Sequence, residues 1–266
     1  MSKTTGNFRK YGSVVLLFLL FLGIEYEFDT LSLLEISSSQ FFELLKIISF
    51  LLIYIVPFIV ILLLLFKRWS QRRYFIPLTI GIGYFCIGWL TGWINEETSS
   101  LLIRATGNNQ IVKEWVDALV PPVIEESIKI ICVLQVMCSL NLYKSSLRVY
   151  FLIGACIGLG FQISEDISYI INTAAENWHD TISQALSRIS GSGTSHWLYT
   201  AILSVGIGNI KFTNNLSKRT TIICLMCPFL LHFIWNSPLN NSYISSALIS
   251  SVSAYVAFTI FKLLDD

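Results

Sequence analysis

Seven residues set in apolar sequence have the types and spacing to do chemistry. Glu125, Glu126 and Lys129 share one segment, Glu165 and Asp166 the next, and His196 and His232 stand in two more. Adjacent carboxylates in low-dielectric surroundings cannot all ionise cheaply, so one is suited to take a proton from water. Glu125 and Lys129 are spaced i, i+4 and share a helix face, while Glu126 is three residues from the lysine. Spacing alone leaves open which carboxylate the ammonium holds. The histidines can polarise a carbonyl or protonate a leaving amine, and Asn236, four residues past His232, is a neutral donor suited to an oxyanion. Together these parts describe water-mediated amide hydrolysis. Two histidines and a glutamate are also a sufficient ligand set for zinc, with a second glutamate as base. The same charges suit a proton or cation path in a transporter.

The elements that must carry these residues are membrane helices. The chain has 266 residues, of which 54% are hydrophobic and 13% charged, with a mean hydropathy of +0.65. Soluble domains carry about 25% charged residues, so a water-exposed surface of this size cannot be covered. About 20 apolar residues span the hydrocarbon core. Charge-free stretches run over 47–66, 74–94 and 243–261, and a shorter one over 11–24. Interrupted apolar stretches cover about 118–140, 149–172, 194–210 and 220–236. The expected fold is an all-α polytopic transmembrane helix bundle of about eight spans. It forms one integral-membrane domain over 1–266, with N-terminal helices in 1–94, a motif-bearing core in 117–240 and a last helix in 241–266. The stretch after Arg9 and Lys10 lacks a small-residue cleavage site and is expected to be an uncleaved first helix.

Placing both termini in the cytoplasm puts 13 basic residues inside and only Lys46, Arg104, Lys113 and Arg188 outside. Eleven acidic residues then lie outside, against Asp265 and Asp266 inside. Lys129, Glu125, Glu126, Glu165 and Asp166 remain within spans. An ionised residue at a span centre costs about 2.5–3.5 kcal/mol, so these five must face one another or a wet cavity. At 1.5 Å rise per residue, Glu125 and Glu165 each lie ~10 Å below the outer edge. His196 opens its helix at the outer surface and His232 is near the outer end of its own. All four polar groups therefore fall in one depth band. The cysteines, all in spans, imply no disulfide framework, and Cys224 and Cys227 read as small apolar side chains rather than ligands.

Four motifs, in order, resemble those of the PrsW-type membrane proteases. Glu125-Glu126-Ser-Ile-Lys129 resembles that family's E-E-x-x-K signature, and Phe161 to Glu165 its glycine-rich F-x-x-x-E helix. His196-Trp-Leu-Tyr-Thr200 and His232-Phe-Ile-Trp-Asn236 are similar to its two histidine motifs. The prenyl-protein (CAAX) protease and bacteriocin-immunity relatives, more distantly similar, carry E-E-x-x-x-R instead. The resemblance implies a membrane-embedded endopeptidase, of glutamate or metallo type, cutting membrane proteins or peptides near the extracytoplasmic face of the cell membrane. Its implied site is Glu125 or Glu126 as base, with Lys129, Glu165, His196, His232 and Asn236. The expected partners are the substrate and the lipid bilayer, with no nucleic acid; if there is a cofactor the expected one is zinc, held by Glu165, His196 and His232. Asn236 stands where the family's last motif often ends in aspartate, and Asp166 where asparagine is common. A protease-like protein that only binds its partner is the further alternative.

Three local expectations complete the reading. Pro121 and Pro122 suit a helix start or break just before the glutamates. Gly154 with Gly158, and Gly88 with Gly92, are spaced for close helix packing. In the outer segment 173–193, Ile182, Leu186 and Ile189 recur at helical spacing beside Arg188, as in an amphipathic connector or a short helix capping the site.

Overall fold

The computed structural model describes residues 3–107, 109–213 and 215–265, with backbone alone for 3–10 and 213. Asp266 and the side chains of Lys3, Arg9 and Lys10, used above to orient the chain, lie outside that description. Among the described residues there are helices and no strands. The α-helices are α1 (Lys3–Ser32), α2 (Ser38–Ser49), α3 (Leu52–Arg68), α4 (Phe75–Ile82), α5 (Gly88–Thr106) and α6 (Gln110–Ser139). They continue with α7 (Leu147–Glu176), α8 (Thr181–Gly191), α9 (His196–Gly208), α10 (Lys218–Asn236) and α11 (Tyr243–Asp265).

Among the described residues, five stretches are long and apolar enough to cross a membrane: Ser38–Arg68, Phe75–Thr106, Leu147–Glu176, Lys218–Asn236 and Tyr243–Asp265. The most apolar window of α7 is 89% buried, against 22% for Ser38–Arg68 and for α11. So α7 is the axis of the bundle, and the outer helices turn apolar faces outward. Phe18, Ile53, Leu64, Tyr255 and Phe258 are all exposed, which in water would be a large apolar patch and in a bilayer is the lipid face.

Local chemistry sets several helix ends. Ser37 and Gln40 form a reciprocal capping box at α2. Gly107, at φ 95°, ends α5 in the left-handed region that glycine enters without strain. Asn109 Oδ1 accepts from the Ile111 N–H to start α6, and the Ser217 hydroxyl does the same for Thr220 at α10.

The prolines do not begin α6. That helix starts at Gln110 and runs unbroken through Pro121 and Pro122. Two absent N–H groups leave the carbonyls of Asp117 and Ala118 without their usual helical donors, and Asp117 borders the cavity described below.

Gly158 matters for the site because α9 crosses α7 there. A Cβ at Gly158 would lie 2.5 Å from the His196 carbonyl oxygen and 2.8 Å from Trp197 Cα. Only a bare backbone lets the first turn of α9 seat against α7. Gly154 meets Thr200 and Ser204 in the same way, one turn along. Of the other pair, Gly88 packs on Ser164, whereas Gly92 has nothing within 4 Å among the described residues and lines the cavity instead.

Candidate active site

Lys129 is the centre of the polar cluster. Its side chain is fully buried, and its ammonium has three N–H donors and no acceptor. Nζ lies 2.7 Å from Glu126 Oε1, 3.0 Å from His196 Nδ1 and 3.5 Å from Glu125 Oε2. The Phe161 ring sits 3.9 Å beneath it and adds a cation–π contact. Lysine therefore holds the second glutamate more closely than the first, which spacing could not decide.

The two glutamates differ in surroundings as well. Glu126 is fully buried; Thr200 Oγ1 donates to it at 3.4 Å, and His232 Nδ1 lies 3.3 Å away. Glu125 borders a cavity of about 990 Å³ and accepts from Asn95 Nδ2 at 3.0 Å. The cavity is also lined by Glu165, Asp166, Arg188, His196 and Asn236. Neither Glu126, Lys129 nor His232 reaches it. One carboxylate faces the space a substrate could enter, and the other stands behind it.

His196 joins the two layers. Nδ1 faces Lys129, and Nε2 is 3.0 Å from Glu165 Oε2. Its ring packs edge-on against Phe161 and against His232, with centroids 4.9 Å and 4.8 Å apart. The His232 ring is stacked on Tyr199. The contacts thus bring Glu125, Glu126, Lys129, Glu165, His196 and His232 into one network drawn from α6, α7, α9 and α10. Asn236 is the exposed last residue of α10 and borders the cavity beside Trp235, apart from that network.

Sequence reasoning missed Arg188, Tyr54 and Asn95. The segment 173–193 contains α8, and Arg188, counted above as an outer-face charge, reaches back from it into the site. Its Nη2 donates to Glu165 Oε2 and its Nε to Asp166 Oδ1, with the guanidinium 4.5 Å over the Tyr169 ring. Burial alone would lower the Arg188 pKa; the Glu165 and Asp166 carboxylates outweigh it and hold the guanidinium above its ordinary value. Asp166 also accepts from the Tyr54 hydroxyl at 2.7 Å. A lone tyrosine in the charge-free run of α3 and a lone arginine among outer acids were the available signals.

Glu125, Glu126, His196 and His232 are all buried and offer ligand atoms within 4.8 Å of one another. His232 Nδ1 is buried 3.3 Å from Glu126 Oε1 without forming a hydrogen bond, so its lone pair is open to a cation held with that carboxylate. Two imidazoles and carboxylates are donors zinc accepts, so the residues fit. Glu165, expected above among the ligands, is outside this group; it is taken by Arg188 and by the far nitrogen of His196.

No curated protein and no solved structure is matched by the chain. Residues 71–264, from the start of α4 to the end of α11 and including all four motifs, match the PrsW family intramembrane metalloproteases, and the chain belongs to that family.

Proposed function

We propose that this membrane protease hydrolyses peptide bonds of membrane proteins or peptides near the extracytoplasmic face, with Glu125 as the base. In this reading α1, α6 and α9 cross beside the five apolar stretches, so the bundle has eight spans and both termini in the cytoplasm, with the cavity in the outer half of the cell membrane. The observation that carries the assignment is that Glu125 borders the cavity while Glu126 lies behind it, bound to Lys129.

Asn95 fixes one oxygen of Glu125 at 3.0 Å and leaves the other toward His196 and His232, at 3.8 Å and 3.9 Å. Glu125 takes a proton from a water in that gap, and the water oxygen bonds to the scissile carbonyl carbon. The Asn236 amide on the cavity rim supplies a donor for the oxygen that becomes negative. Glu125 then returns the proton to the leaving nitrogen as the C–N bond breaks, giving a carboxylic acid and an amine. Glu126, His196 and His232 would hold zinc, which when bound supplies positive charge to polarise the carbonyl and acidify water. Lys129 shares Glu126 with any such ion and keeps that carboxylate charged.

The test uses purified protein in liposomes with a pool of dye-quenched single-span peptides. E125Q should lower cleavage by a factor of about 10² or more while its melting temperature stays near wild type. Cleavage by E125Q at the wild-type rate would remove Glu125 as the base.

A further inference from the structure

We infer that Arg188 is a positioning residue that, through Glu165, anchors the Nε2–H of His196 and so holds the ring in its orientation. The inference rests on the reading of His196 as part of the active site.

The lysine ammonium only donates, so its 3.0 Å contact makes His196 Nδ1 the acceptor. In a neutral ring the proton is then on Nε2, which donates to Glu165 Oε2 at 3.0 Å. That same oxygen receives Nη2 of Arg188. The guanidinium is itself held on three sides: by Glu165, by Asp166, and by the Tyr169 ring at 4.5 Å. Asp166 is in turn pinned by the Tyr54 hydroxyl at 2.7 Å. An unbroken line of polar contacts runs from α3 through Asp166, Arg188 and Glu165 to His196 on α9.

Take away Arg188 and two neighbouring carboxylates are left without their shared cation. Glu165 then turns toward solvent and stops being a fixed acceptor for Nε2–H. The ring loses the anchor of its Nε2–H, and the Nδ1 lone pair is no longer aimed steadily at the cluster around Glu126. Carboxylates that orient a histidine in this way are worth about 10–100-fold in activity where they have been removed. Arg188 touches neither Glu125, Glu126 nor His232 by any hydrogen bond or ion pair described above, so it acts through Glu165.

The chain contains three histidines, which makes the ring nitrogens directly observable. The full-length protein, labelled with ¹⁵N-histidine in detergent micelles, is examined by imidazole nitrogen–proton correlation, with H196Q assigning the His196 signals. Wild type should show His196 with Nε2 protonated and Nδ1 bare. R188M should lose the downfield, slowly exchanging Nε2–H of that pattern, R188K should recover it, and E165A should lose it with Arg188 intact. On the peptide pool, R188M should lower kcat about 10–100-fold with little change in KM. An unchanged nitrogen pattern in R188M or in E165A overturns the inference and leaves Arg188 as an anchor for α8 only. If R188M does not fold, E165A decides alone. The nitrogen pattern does not depend on cleavage, so it stands or falls separately from the proposed protease chemistry.

Discussion

Lys129 Nζ lies 2.7 Å from Glu126 Oε1, and Glu125, one residue earlier, is reached at 3.5 Å. This difference separates two side chains that look equivalent in sequence. Glu126 is the lysine's partner in the buried layer, and Glu125 is the carboxylate with access to the cavity.

The two glutamates should therefore fail differently when altered. E126A leaves a buried ammonium without its closest anion, a loss of about 3–5 kcal/mol for breaking a buried pair. E125Q keeps an oxygen for Asn95 and should unfold at nearly the wild-type temperature while losing activity. Thermal unfolding in detergent, read beside peptide cleavage, checks both. Equal melting losses in the two variants would remove the distinction.

Lys129 itself neutralises a site with more acid than base. K129M fills the space but leaves Glu125 and Glu126 facing each other without their cation. A stability loss of about 3–5 kcal/mol is expected, with activity falling as well. Addition of a divalent ion should restore part of the stability, because the donors that Lys129 vacates are those within 4.8 Å of one another. Melting curves of K129M with and without zinc measure this.

Two glycines with similar sequence surroundings should respond in opposite ways. G158A puts a methyl group 2.5 Å from the His196 carbonyl oxygen, so α9 must move off α7; overpacking of this kind costs about 1–3 kcal/mol. G92A meets nothing within 4 Å among the described residues and should leave the melting temperature unchanged or slightly raised. A displaced His196 also predicts that G158A loses activity beyond what its stability explains.

Metal content should follow the buried donors rather than the cavity wall. Zinc-loaded, dialysed protein should retain about one ion per chain. H232A and E126Q should lower that value, and E165A should lower it less. Elemental analysis of the three variants distinguishes the buried set from one built on Glu165, since the latter predicts the largest loss in E165A.

Much of this was legible in the sequence because intramembrane charge is expensive. Glu125, Glu126, Lys129, Glu165, His196 and His232 stood out by breaking apolar runs, and their common depth followed from rise per residue. Their meeting in one network is what that depth required. Arg188 was hidden for the opposite reason: in a polar outer segment a charge costs little, and nothing local says that it points inward. The uninterrupted passage of α6 through Pro121 and Pro122 was equally hidden, since proline marks a helix start far more often than an interior. Gly92 shares the spacing of Gly88, but only the neighbouring helix decides whether a small residue is packed against or left open. The family match reaches from residue 71 to residue 264, beyond the motif-bearing core, and includes Asn95, whose amide holds Glu125.

The central claim is that Glu125 activates water to cut membrane polypeptides. Its most direct test is mass spectrometry of labelled protein N-termini in membranes from cells making wild type, E125Q or neither. A set of new N-termini, close to the outer ends of spans, should appear with wild type and be missing with E125Q. The same N-termini with E125Q at equal protein level, or none with wild type, would contradict it.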